Sequence, residues 1–183
     1  ARMFSTPNGV DDNLYHDDQK LESIFENPED RITITFMGRL TEEKGIFEFL
    51  QAIEELGKEG LPVLGILAGP VLSSERDSVQ TRIDSILDNE QTRQCIQQIG
   101  YCQNVPSLLM QSDIFCLPSY REGLPVSIIE AMMAGLPVVT TNVRGCRELV
   151  RDGVNGFLVE HRDSEQLRDA LSILVRKKSM RKK

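Results

Sequence analysis

The chain has 183 residues, of which 40% are hydrophobic and 27% charged, and this balance is typical of one globular domain rather than a disordered segment. No apolar run approaches the roughly 18 residues that a membrane-spanning helix needs, and residues 1–10 lack the build of a signal peptide. The net charge is -7 although residues 176–183 contain six cations, so the rest of the chain is acidic, which disfavours a nucleic-acid-binding surface.

The first half alternates short apolar strands with amphipathic helices. Residues 32–37 are rich in β-branched side chains and predict a strand, and residues 63–68 predict a second one. Between them lies a helix that we expect to stop at Gly57, with one apolar face formed by Ile46, Phe49, Leu50 and Ile53. Ser73 or Ser74 could cap the next helix. Its apolar face contains Val79, Ile83, Ile86 and Leu87.

The second half continues the same alternation. It predicts four strands, at residues 95–99, 114–117, 138–141 and 157–159. Two helices lie between these strands, at 106–111 and at 126–134, and Gly135 is expected to end the second. Residues 163–166 form a capping-box arrangement at the start of the last helix. That helix aligns Leu167, Ala170, Leu171 and Leu174 on one face.

Strict alternation of strands and helices predicts a doubly wound, Rossmann-like α/β fold with a parallel sheet covered on both faces. The short, continuously apolar strands agree, because parallel strands are buried on both sides. In such folds ligands bind beyond the carboxyl ends of the strands. Functional residues are therefore expected in the loops that directly follow strands.

The loop after the first strand carries two cations. Gly38 lets the chain turn tightly, and Arg39 and Lys44 lie where the next helix opens, a place suited to phosphate. The segment is neither a GxGxxG dinucleotide fingerprint nor a P-loop. Taken alone, the segment is weak evidence for a phosphate site, and two surface cations on an exposed loop are the favoured interpretation.

Residues 118–135 combine a helix start with two carboxylates. Gly123 precedes the helix, Pro125 suits its first turn, and free backbone amides with the helix dipole suit an anion there. We expect Glu122, in the loop, and Glu130, about two helical turns further along the chain, to border one cleft. Carboxylates beside phosphate are good acceptors for sugar or ribose hydroxyls. The alternative for Glu130 is a solvated helix carboxylate, which its apolar neighbours disfavour.

These segments together carry a resemblance to a known family. Glu122 and Glu130, with seven residues between them in PSYREGLPVSIIEAMMAGLPVVTT, resemble the EX7E element of retaining GT-B glycosyltransferases of family 4, known as the glycosyl transferases group 1. GRLTEEKG resembles that family's Gly-Arg…Lys-Gly diphosphate loop. Residues 143–150 and 152–159 resemble the segments that follow, and the resemblance runs from about Asn8 to the end.

The resemblance implies a role for each matching residue. Arg39 and Lys44, in the loop that Gly38 opens, would clamp the donor's diphosphate and stabilise charge on the leaving nucleotide. Glu122 would hold sugar hydroxyls, and Glu130 would accept a hydrogen bond from the ribose. Tyr101, in the loop 100–102, would border the base. The amides that would bind sugar oxygens or phosphate are those of Gly123, Leu124 and Val126.

The resemblance also implies a larger enzyme. GT-B enzymes have two Rossmann-like domains with the active site between them, and residues 31–183 resemble only the C-terminal, donor-binding half. Residues 1–30, with the run 5–11, resemble a linker-proximal segment, so an acceptor-binding domain would precede Ala1 and this fragment alone would be inactive. Retaining transfer would pass through an oxocarbenium-like state, with the donor's phosphate helping to take the acceptor's proton. No metal or other cofactor would be needed, and the candidate loops contain no Asp-x-Asp.

Other functions remain open at this stage. Nucleotide-sugar 2-epimerases and sugar-phosphate synthases share the architecture, and a non-catalytic nucleotide-binding module is a third hypothesis.

Four cysteines without a CxxC pair indicate a reduced, cytoplasmic setting, and two histidines leave no His-rich metal site. The basic residues 176–183 predict cations at the C-terminal end of a helix, although in the full-length protein they could touch the inner face of a membrane.

Overall fold

The computed structural model describes residues 10–15, 22–71 and 76–181 and contains a six-stranded sheet. The strands are β1 (Ile32–Met37), β2 (Val63–Ala68), β3 (Ile96–Gly100), β4 (Ile114–Leu117), β5 (Val138–Thr141) and β6 (Gly156–Val159). Their order is β3-β2-β1-β4-β5-β6, and every pairing is parallel. This confirms the predicted doubly wound, Rossmann-like fold, and β1, β2, β4 and β5 have the predicted bounds.

Helices cover both faces of the sheet. They are α1 (Ile46–Lys58), α2 (Thr81–Leu87), α3 (Glu90–Cys95), α4 (Val105–Met110), α5 (Val126–Met133), α6 (Arg144–Arg147) and α7 (Ser164–Arg176). A π-helical turn, Arg76–Gln80, leads directly into α2. The serines expected to cap this helix, Ser73 and Ser74, lie outside the described residues, as do residues 5–9 of the N-terminal run.

The alternation of side chains along β2 explains the layers. All six β2 residues are buried. A Cβ on Gly65 would meet Ile53 and Phe49 of α1, so this face of the strand packs against α1. Leu64, Ile66 and Ala68 point the other way and form a cluster with Leu108 of α4. The edge strands β3 and β6 are only partly buried, as expected at the margins of a parallel sheet.

The prediction that α1 stops at Gly57 was wrong. Helix α1 continues to Lys58 and ends in a Schellman motif, in which Leu61 N donates to Leu56 O and Gly60 N to Gly57 O (3.1 and 2.9 Å). Gly60, at φ 74°, is the left-handed residue. Gly57 instead permits close helix packing, because a Cβ there would lie 2.7 Å from Cys95 Sγ in α3.

The other predicted helix ends agree more closely. Gly135, at φ 73°, follows α5 in the predicted way, and its N–H donates to Met132 O. Pro125, however, occupies the N-cap position one residue before the first turn of α5. At α7, Asp163 Oδ1 accepts from Gln166 N at 2.8 Å, which is half of a capping box. The Gln166 side chain completes no box, because it accepts from Glu160 N instead.

The basic segment after α7 folds back onto the helix. Arg181 is buried, and its Nη1 donates to the carbonyls of Leu174 and Val175 at 2.8 and 2.6 Å. These are carbonyls of the last helical turn, so the guanidinium caps α7, in agreement with the expected cations at a helix C-terminus. Across residues 10–15, 22–71 and 76–181, none of the helices has the length and apolar character that crossing a bilayer demands.

Candidate functional site

Glycines bring the loops at the carboxyl edge of the sheet into direct backbone contact. A Cβ on Gly69, after β2, would overlap the carbonyl of Gly38, after β1. Gly45, at the start of α1, lies against the carbonyl of Pro118, after β4, and is held at φ 74°. A Cβ on Gly145, after β5, would likewise overlap the carbonyl oxygen of Gly123. The loops that follow four strands therefore form one continuous rim.

A cavity of about 450 Å³ opens on this rim between the β1–α1 and β4–α5 loops. Its lining residues are Arg39, Thr41, Glu43, Lys44, Arg121, Glu122 and Gly123. The structure thus brings together both predicted cations, one of the two predicted carboxylates and the predicted glycine. Arg39 is exposed, whereas only 22% of the Lys44 side chain and 9% of the Glu122 side chain are exposed.

Glu122 is the most constrained side chain of this cavity. Lys44 Nζ lies 2.5 Å from its Oε1, and Ser119 Oγ donates to the same oxygen at 2.7 Å. Glu122 Oε2 accepts from none of the residues that the structure describes. In this arrangement the ammonium of Lys44 is neutralised by Glu122 rather than free, and a phosphate would have to compete with the carboxylate for it.

The start of α5 supplies unused donors next to Glu122. The backbone amides of Gly123, Leu124 and Val126 donate to no residue in the described part of the chain, and no side chain caps this helix. Together with the partial positive charge of a helix N-terminus, they suit oxygen atoms of a sugar or a phosphate. The predicted anion-binding position and the two cations therefore border the same opening.

Glu130 lies elsewhere in the structure. Its side chain is half-buried on α5 and is not among the residues that line the 450 Å³ cavity, so that cavity contains one of the two predicted carboxylates. Burial raises the pKa of Glu130. Burial, and then the charge of Glu130, raise the pKa of Tyr15 to about 12, so these two groups lie near each other.

Tyr101 is also separate from the cavity that holds Arg39. It is 72% exposed and lines a second cavity of about 300 Å³ together with Glu22, Cys102 and Asn104. This cavity follows β3, which is an edge strand, whereas the first follows β1 and β4. Gly38 continues the pairing of β1 with β2, because its N–H donates to Ala68 O at 3.0 Å.

Several residues that line the cavity or contact Glu122 were not assigned a role in the sequence analysis. Thr41 and Glu43 lie within the loop that was examined, but only Arg39 and Lys44 were assigned roles there. Arg121 Nη2 pairs with Glu43 Oε2 at 3.0 Å and closes the wall of the cavity. Ser119 is fully buried, and its only signal was its position directly after Pro118 at the end of a strand. None of these contacts between separate loops has a signature in a single sequence.

The described residues contain no group of three or more His, Cys, Asp or Glu side chains that could hold a metal ion. The four cysteines are free thiols. Cys116 and Cys146 are buried in the core, and burial raises the pKa of each of these thiols. They are packing residues in this structure rather than candidate nucleophiles.

Comparison with known structures supports the fold assignment. The C-terminal domain of a glycosyl transferase group 1 family protein (LpcC) from Francisella tularensis matches with a TM-score of 0.82 and 24% identity, over 94% of this chain and 91% of that one. Anabaena Alr3699/HepE, solved in complex with UDP-glucose, matches with a TM-score of 0.81 and 24% identity, over 95% of this chain and 48% of that one. Both likenesses concern the fold.

Comparison at the sequence level identifies the family. A UDP-Gal:alpha-D-GlcNAc-diphosphoundecaprenol alpha-1,3-galactosyltransferase from Escherichia coli is 28% identical over 173 residues, which cover 90% of this chain and 43% of that protein. The chain therefore spans less than half the length of this curated relative. The family model for glycosyl transferases group 1 matches residues 17–183. The chain belongs to the glycosyl transferases group 1 family.

Proposed function

We propose that this chain is the donor-binding half of a retaining, metal-independent glycosyltransferase of family 4. The reaction would transfer a sugar from a nucleoside-diphosphate sugar to an acceptor hydroxyl. One observation carries the proposal: Arg39, Lys44 and Glu122, which come from two separate loops, line one cavity beside unused amides of α5. Support also comes from relatives that are named glycosyltransferases and from a related structure with bound UDP-glucose.

The chemistry divides between the two loops. Arg39 and Lys44 would bind the diphosphate and stabilise the negative charge that develops on the leaving nucleotide; removing one such electrostatic partner typically costs about 10²–10³ in rate. Glu122 would accept hydrogen bonds from sugar hydroxyls. We extend the proposal to Glu130 as the acceptor of a ribose hydroxyl and to Tyr101 beside the base. Neither residue lines the cavity with Arg39, so the ribose and the base of the donor would extend beyond that cavity.

The length of the relatives bears on what this chain can do alone. Because the chain covers 43% of the Escherichia coli galactosyltransferase, we propose that the acceptor, and any contact with a membrane, belong to a domain outside these 183 residues. The isolated chain would then bind donor without transferring sugar. Product analysis of the full-length protein with a labelled donor would separate transfer from epimerisation and from simple hydrolysis.

Calorimetry with UDP, ADP, GDP and their glucose conjugates tests the donor-binding role. We expect the wild-type chain to bind one of these series, and the double variant Arg39→Ala, Lys44→Ala to lose at least about 100-fold in affinity, because both phosphate-binding cations are removed. The matched control is Lys58→Ala with Arg93→Ala, which removes two exposed cations from α1 and α3, away from the cavity.

Two results would overturn the proposal. One is a wild-type chain that binds no nucleotide of the panel. The other is a double variant at Arg39 and Lys44 that binds as tightly as the control, since the cavity would then have no part in binding.

A further inference from the structure

Ser119 connects the sheet to the carboxylate of Glu122. It lies just beyond β4, is 0% exposed, and donates its hydroxyl hydrogen to Glu122 Oε1 at 2.7 Å. Lys44 Nζ contacts the same oxygen at 2.5 Å. Two donors therefore hold one oxygen of Glu122, and Oε2 is left facing no donor within the described part of the chain.

The two donors differ in how firmly they are held. The Thr141 hydroxyl, at the end of β5, donates to Ser119 O, and the neighbouring Thr140 hydroxyl donates to Leu117 O at 2.7 Å. On the other side of Ser119, Tyr120 N donates to Glu43 O at 2.8 Å. The backbone around Ser119 is thus bonded to β5 and to the β1–α1 loop. Lys44, by contrast, reaches Glu122 through a long side chain that is partly exposed.

This difference matters if a diphosphate enters the cavity, and here the argument rests on the proposed function. Lys44 would then exchange Glu122 for phosphate, because the ammonium cannot hold both at full strength. We infer that Ser119 is a positioning residue: its buried hydroxyl keeps Glu122 in place when the diphosphate draws Lys44 away, so that Oε2 meets the sugar. Ser119 itself touches neither sugar nor phosphate.

The inference separates sugar binding from diphosphate binding. In Ser119→Ala, Glu122 loses its remaining anchor in the donor complex, while the diphosphate contacts of Arg39 and Lys44 persist. We expect the affinity for the tightest-binding sugar nucleotide of the panel to fall about tenfold, the usual scale for a hydrogen bond to a charged group. Affinity for the corresponding nucleoside diphosphate should stay within about twofold. Ser119→Cys, which retains a weak donor, should fall between wild type and Ser119→Ala.

Ser112, just before the amino end of β4, offers a matched control. Ser112 is also buried, with its Oγ 2.7 Å from Thr35 Oγ1 and 2.8 Å from Leu108 O, and it has no contact with Glu122. Ser112→Ala should lower the melting temperature by a similar amount and leave both affinities unchanged. In a Glu122→Ala background, adding Ser119→Ala should not reduce sugar-nucleotide affinity any further, because Ser119 acts only through Glu122.

The outcomes distinguish this inference from the proposed function. Equal losses for sugar nucleotide and nucleoside diphosphate in Ser119→Ala, or no loss for either, would reject the positioning role while donor binding stands. The same holds if the wild-type chain binds no sugar nucleotide more tightly than its nucleoside diphosphate. A wild-type chain that binds no nucleotide at all would remove the proposed function, and this inference with it.

Discussion

At the scale of single residues, Glu130 combines a charged group with a half-buried position on α5. Burial raises its pKa, so the folded chain favours the protonated carboxyl, and the ionised form opposes folding once the pH rises through that pKa. Below the pKa of an unfolded glutamate, about 4.3, this penalty is absent.

Glu130→Gln should therefore raise the melting temperature at pH 7, since it removes an ionised group from a partly buried site. The gain should shrink as the pH falls toward 4, where Glu130 is protonated in both states. Thermal melts of both proteins between pH 4 and pH 8 measure the difference. A gain that grows on acidification would contradict the argument, because it would mean that the folded state favours the ionised carboxylate.

Residue types and loop positions could be predicted from the sequence, whereas pairings could not. Arg39, Lys44 and Glu122 stand out because charged residues directly follow apolar strands, and the structure places all three on one cavity. The bond from Lys44 to Glu122 depends on how two loops approach each other, which no local spacing encodes. Glu130 was expected to border one cleft with Glu122, but it is not among the residues that line this cavity.

At the scale of elements, two glycines with the same backbone conformation have different surroundings. Gly45 and Gly60 both have φ 74° and both adjoin α1. A Cβ on Gly60 would meet nothing within 4 Å, whereas one on Gly45 would overlap the carbonyl of Pro118. Substitutions at Gly45 and Gly60 therefore separate the cost of the loop contact from the cost of the left-handed backbone.

We expect Gly60→Ala to cost about 1 kcal/mol in the free energy of unfolding, from the left-handed backbone alone. Gly45→Ala should cost clearly more, because the β1–α1 and β4–α5 loops must move apart, and it should also weaken nucleotide binding by moving Arg39 and Lys44 away from the amides that begin α5. Chemical denaturation and calorimetry on both variants give the two quantities. Equal destabilisation by the two substitutions would show that the contact with Pro118 can relax without cost.

Strands were more predictable than short helices. β1, β2, β4 and β5 match their predicted bounds, because continuous β-branched and apolar runs between turn residues have few alternatives. α3 and α6, with Glu90–Cys95 and Arg144–Arg147, were not predicted. Each is too short to show a helical period, and α3 starts from an Asn89 cap that bonds Gln91 N and Thr92 N. The end of α1 was misjudged because Gly57 is required by packing against Cys95.

At the scale of the whole molecule, donor binding should increase the free energy of unfolding. If the nucleotide binds only the folded chain, a free nucleotide concentration of 100 times the dissociation constant adds about 2.7 kcal/mol to the free energy of unfolding. For a domain of this size we expect the melting temperature to rise by roughly 5–11 °C. A nucleotide titration followed by thermal melting tests this, with the Arg39→Ala, Lys44→Ala variant as the sample whose melting temperature should rise by at most about 2 °C at the same nucleotide concentration.

The glycine contacts along the rim have a consequence for attempts to change which sugar the proposed donor site would accept. Since the loops after β1, β2, β4 and β5 touch through backbone atoms at Gly69, Gly45 and Gly145, an insertion in one loop is transmitted to its neighbour. Libraries that vary loop length there would mostly yield misassembled proteins. Diversification is better confined to side chains that project from the finished rim, such as Thr41 and Arg121, while the three glycines stay constant.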